Sequence, residues 1–252
     1  MATTIINPTQ SAKLKDSVMG GYPFAPVRTN AAGSIFGGLD TTPDNSNFIV
    51  NTQRAPNITF GGQWYNWYAH LMDFDLSSIN AEITAIKLKL YGRSHTNDDG
   101  DAIIIQGTFD SSIAYDDMRS FTGWSLYEGT GYPGWDSGDV TAYSSAFGPA
   151  AGGWDEDGWN ELTLNSNAIS AAETARVAGN RLKFFIMPKS TIYDYSTDDF
   201  TTNPEYLNMN YYANTDATYK PELVVTYVGI ETYGITMKSG TVNLRSGTLT
   251  IK

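Results

Sequence analysis

The stretch Asn97-Asp98-Asp99-Gly100-Asp101 sets oxygen-bearing side chains around a glycine. Ca²⁺ takes six to eight oxygen ligands from a flexible loop, so Asp98, Asp99 and Asp101 are the candidate calcium ligands. The further spacing and distal Glu of an EF-hand are missing. The competing reading is an acidic hairpin loop, because Asp, Asn and Gly form turns without any metal. Asp155-Glu156-Asp157-Gly158 is open to the same two readings. Catalytic chemistry has less to work with. No G-x-S-x-G, H-E-x-x-H or phosphate-binding loop occurs. The chain has no cysteine and only two histidines, His70 and His95, which leaves no thiolate metal site. Two carboxylates meeting in a cleft could hydrolyse a glycan, but nothing in the sequence selects a pair. The expectation is a protein that is not an enzyme.

Aromatic residues are the other chemistry on offer. Gln63-Trp64-Tyr65-Asn66-Trp67-Tyr68, read as a strand, puts Trp64, Asn66 and Tyr68 on one face and Tyr65 and Trp67 on the other. Sugars stack their C–H surfaces on such rings, so Trp64 and Trp67 are candidate glycan contacts. Trp135, in a Gly-rich loop with Trp124 and Trp154 in similar settings, is a third. The alternative is packing, one face into the core and the other beneath a long loop.

The elements that must carry these residues are mostly strands. Residues 83–91 alternate, with Ile86, Leu88 and Leu90 inward and Lys87 and Lys89 outward. Residues 102–109 open apolar on both faces and are expected at the centre of a sheet. Segments 159–164, 182–187, 207–212 and 222–228 complete the set. One helix is expected over residues 168–177, beginning after Asn165-Ser166-Asn167 and stopping at Gly179-Asn180. Long loops fall at residues 20–47, 92–101, 116–158 and 190–205, as functional surfaces or packed arms. The whole reads as an all-β, antiparallel jelly-roll β-sandwich over residues 1–228, with an N-terminal arm of about residues 1–20.

Residues 229–252 are set apart by a seven-residue unit, ITMKSGT VNLRSGT LTIK. Apolar residues recur as Ile235/Met237, Val242/Leu244 and Leu249/Ile251, each followed by a basic residue, and the first two units by Ser-Gly. Ser-Gly is turn chemistry, so the unit predicts short strands and a C-terminal β-repeat extension. Three such strands make no stable core alone. Burying the six apolar side chains is worth on the order of 10 kcal/mol before ordering costs. They are expected to form an oligomer or attachment interface with sister copies, a trimer being favoured, or with another protein. A meander folded back on its own domain is the alternative.

The net charge of −11 repels phosphate backbones, so nucleic acid is not an expected partner. No run approaches eighteen apolar residues, so no membrane helix is expected. The opening MATTIINPTQ lacks the basic and apolar regions of a signal peptide. The expectation is synthesis in a host cytoplasm and export, if any, on a particle.

Three stretches stand in order: Phe74-Asp75-Leu76-Ser77-Ser78-Ile79 with Ile83 to Tyr91, Trp159 to Asn165 followed by Asn180 to Ile186, and Tyr219-Lys220-Pro221 leading into Glu222 to Tyr227. Together they resemble DNRLRE-type modules. Those modules are carbohydrate-binding-like jelly rolls of bacterial surface proteins and phage structural proteins. The resemblance spans roughly residues 68–228 and implies the jelly roll. Together with the tail and the charge it leads to the expected function: a bacteriophage virion protein, as head fibre, capsid decoration or tail-attached protein. It would contact other virion proteins and host cell-surface glycans. A stand-alone carbohydrate-binding module, or a glycan hydrolase, is the alternative.

Overall fold

The computed structural model describes residues 1–19, 38–40, 48–50, 52–57, 62–93, 101–110, 113, 117, 120–123, 140–149, 151–189, 209–211, 216 and 218–228. Among these residues, twelve strands form two antiparallel six-stranded sheets and one helix lies outside them, the all-β sandwich expected. In the first sheet, β1 (Ala2–Ile6), β12 (Glu222–Tyr227), β7 (Ile83–Arg93), β11 (Met209–Tyr211) and β4 (Phe48–Val50) follow one another, and β9 (Trp159–Thr163) also pairs with β7. In the second, the order is β3 (Gly38–Asp40), β2 (Gln10–Met19), β6 (Gly62–Asp75), β10 (Arg181–Pro188) and β8 (Ala102–Gln106), with β5 (Thr52–Asn57) on β6.

The alternation of β7 explains the first sheet. Ile86, Leu88 and Leu90 are buried, each contributing about 1.5–3 kcal/mol of transfer free energy. Lys87 and Lys89 stand on the outer face, paired with Glu161 at 3.0 Å and Glu222 at 3.2 Å. β6, fourteen residues long, organises the second sheet. β2 pairs with it from Asp73 to Trp64, while β10 and β5 share its other edge, at Asp75–His70 and Trp67–Gly62. The first nineteen residues, expected as an arm, therefore supply one strand to each sheet. β1 pairs with β12 and β2 with β6.

Between the sheets, Met72, Phe74, Leu88, Leu90, Phe184 and Ile186 form the main core. The helix α1 (Ser166–Ala178) closes one end through Ala168, Ala172 and Ala175. Its limits are set by side-chain chemistry. The Asn165 side chain accepts from the backbone N–H groups of Asn167 and Ala168, and Gly179 adopts a left-handed φ of 66° at the other end.

A second core lies on the far side of the second sheet, where Leu14, Leu71, Ile105 and Phe185 pack under Phe109, Phe121 and Val140. This corrects the expected central place of residues 102–109. β8 ends the strand order, yet residues 141–147 run along its open edge, with Tyr143 N–H donating to Ile104 O at 2.8 Å and Phe147 N–H to Ala102 O at 2.9 Å. Its odd and even residues feed different cores, which is why both faces are apolar. Part of the long 116–158 loop is thus a packed arm.

Among the described residues, the polar side chains of Asp73 and His70 are without any exposure. Asp73 is fully buried and accepts from Gln10 N–H at 3.0 Å, Gln10 Nε2 at 3.0 Å and Arg181 Nη1 at 2.8 Å, tying β2, β6 and β10 together. His70 Nδ1 and the Tyr211 hydroxyl share a hydrogen bond across the sandwich, from β6 to β11. Burial holds the imidazole well below its ordinary range, with Lys13 adding to the effect, and pushes the Tyr211 phenol well above its own.

Candidate glycan-contact surface

Three aromatic rings meet on the outer face of the first sheet. The β7–β9 register sets Tyr91 opposite Trp159, and their rings pack edge to face, 5.4 Å apart at 86°. Tyr219, just before β12, stacks on Tyr91 with centroids 4.0 Å apart. Lys89 Nζ lies 4.6 Å over the Trp159 ring while its ion pair with Glu222 fixes the ammonium. All three rings are half-buried, and the rim is charged. Aromatic rings beside an ion pair are the chemistry that packs against a pyranose and its hydroxyls, which makes this cluster the candidate contact surface.

The adjoining turn holds the platform in shape. Asn160, buried at the second position of β9, accepts from Asp155 N–H at 2.8 Å and donates through Nδ2 to Asp155 O at 2.9 Å. The Asp155 carboxylate accepts from Asp157 N–H at 3.0 Å, which is turn chemistry within the Asp155–Gly158 stretch. The Tyr91 hydroxyl donates to Asp157 O. Glycine is required where this turn crosses β7: a Cβ on Gly92 would stand 1.9 Å from the backbone carbonyl oxygen of Asp155. Gly92→Ala is therefore expected to lower unfolding free energy by about 1–3 kcal/mol. Chemical denaturation measures this, and the near-ultraviolet signal of Trp159 should change with it.

Of the candidate stretches marked in the sequence, only Asp155–Gly158 adjoins this cluster among the described residues. Trp64 and Trp67 hold ladder positions on β6, opposite Met19 and Asp16 of β2 and Ala55 and Thr52 of β5. Trp135, Asp98 and Asp99 lie outside the described residues, as do Ile235, Met237, Val242, Leu244, Leu249 and Ile251 of the tail. Asp101 is described: its carbonyl accepts from Lys189 N–H at 2.7 Å, and its Oδ1 is buried with no hydrogen-bond partner among the described residues. No group of three or more His, Asp or Glu side chains could hold a metal ion among the described residues.

Tyr91, Trp159 and Tyr219 were not among the sequence candidates, although a signal for two of them exists. Tyr91 continues the outward series of Lys87 and Lys89, and Trp159 that of Glu161. Only the register shows that the two series meet. A second concavity of about 450 Å³, lined by Gly107, Thr108, Gly179, Asn180, Arg181 and Lys183, lies at the opposite end of the sandwich. Its cations are already engaged, Arg181 by Asp73 and Lys183 by Phe109 O and the Phe109 ring. No protein-family model matches the chain, and no curated protein matches it either.

Proposed function

We propose that this chain is a non-enzymatic structural protein of a bacteriophage virion, a jelly-roll sandwich fastened by its C-terminal repeat and touching host-surface glycans with its far end. The observation that carries this reading is the polarity of the body. Val228, where the repeat tail departs, donates its N–H to Glu82 O at 2.9 Å, beside the start of β7. The Tyr91–Trp159–Tyr219 platform stands at the other end of that strand, eight residues and roughly 26 Å away. An attachment end and a contact end are what a displayed module needs. The resemblance of residues 68–228 to DNRLRE-type modules supports the same assignment, and the sandwich agrees with the fold it implies. The buried Asp73 carboxylate agrees with a non-catalytic role, since with the part-exposed Arg181 it is spent on holding three strands together.

Two measurements test this reading. A mass-spectrometric inventory of purified virions should contain the chain; its absence would contradict the assignment. Titration of the full chain with bacterial surface polysaccharides should show binding that Trp159→Ala weakens about tenfold, equivalent to 1.4 kcal/mol. A stand-alone carbohydrate-binding module, the second reading, rests on the same platform. It predicts equal sugar binding with no virion incorporation.

A further inference from the structure

The outer edge of β1 has the features of an interface. Among the described residues β1 pairs only with β12, so its other edge carries unmet backbone donors and acceptors. Edge strands of soluble proteins are usually protected by charge, proline or a bulge. Ala2-Thr3-Thr4-Ile5-Ile6 has none of these. Apolar side chains collect at the same place. Ile5 is 56% exposed and Val228 47%, and with Met1 they make three of the four exposed large apolar residues among those described. The register places Ile5 opposite Val224, and Met1 beside Val228.

We propose that this edge seats one strand of the seven-residue repeat from a sister copy, extending the first sheet across the subunit boundary. The proposal rests on the attachment role given to the tail above and supplies that role with a surface. Three features select the occupant. The tail segments are strand-length and alternate apolar with polar residues, as strand addition onto an edge needs. The stretch from Ile235 to Lys252 carries Lys238, Arg245 and Lys252 and no acidic residue, a charge of +3; the rest of the chain therefore carries −14 (−11 minus +3). Tail and body attract, whereas two bodies repel. The tail also leaves the body at Val228, beside the edge it would need on a neighbour, so a head-to-tail ring brings donor and acceptor together.

The absence of cysteine makes the test direct. Full-length copies carrying only Thr3→Cys are mixed with copies carrying only Val242→Cys, or Leu244→Cys for the neighbouring register, and oxidised. A mixed disulfide at twice the chain mass is the expected product. Thr3–Thr3 pairing alone would mean that edges meet each other. A doubly substituted chain that closes on itself at single-chain mass would mean that the tail seats on its own body. Either result, or no cross-link, overturns the proposal. Ile5→Lys, at an exposed position, should independently shift the assembly toward smaller species in light scattering by repelling the basic strand; an unchanged mass counts against it. If deletion of residues 229–252 dissolves the assembly while no cross-link forms, the tail's role stands and this seat falls.

Discussion

Asp73→Ala is expected to lower unfolding free energy by about 2–4 kcal/mol. The carboxylate is fully buried, and three donors from two neighbouring strands converge on it. Removing it leaves the Gln10 N–H and amide without their acceptor, and Arg181 without its counter-charge. Arg181 keeps about a third of its side-chain surface in water, which holds the loss below that of a fully buried pair. Urea denaturation measures the loss. Asp73→Asn should recover part of it, since an amide oxygen still accepts from Gln10. A loss under 0.5 kcal/mol for the alanine variant would show that the three-strand clamp is not stabilising.

The second large effect depends on pH. His70 is held neutral in the folded protein because burial and nearby Lys13 disfavour its charged form. In the unfolded chain it titrates near 6.5. Below that pH the unfolded state takes up a proton that the folded state refuses, so stability falls as pH drops. The slope reaches about 1.4 kcal/mol per pH unit for one proton. His70→Asn should lower stability at pH 8, because the bond to Tyr211 is lost. It should also flatten the slope between pH 6.5 and 5. The carboxylates act in a different window. Asp75, held low first by its bonds to Ser77, and Glu173, held low first by Arg176, stabilise the fold above about pH 4.5 and lose that contribution below it. Denaturation midpoints of the two proteins between pH 8 and 5 separate the histidine from every other group.

Local chemistry was legible in the sequence. Asn165 and Gly179 marked the helix ends, and the alternation of Ile86, Leu88 and Leu90 against Lys87 and Lys89 gave β7 its orientation. What periodicity cannot say is whether the face it calls outward is covered. Asp73 lies between Met72 and Phe74, so alternation sends it away from the main core. It is nonetheless fully buried, between Gln10 and Arg181 on the neighbouring strands. That face of the sheet carries a second core, in which Leu71 and Phe185 are covered by Phe109, Phe121 and Val140 from distant stretches of the chain. The same gap hid the aromatic cluster proposed as the contact surface: Tyr91 and Trp159 are 68 positions apart and meet only through strand pairing. The Trp64–Trp67 cluster drew attention by its density, whereas the platform had no local density to reveal it.

The proposed function divides attachment and contact between the two ends of the sandwich. Light-scattering mass of the chain cut after Val228, compared with the full-length protein, tests it most directly. The prediction is a folded monomer from the shortened chain and a larger assembly from the whole one. An unchanged mass after the cut would contradict it.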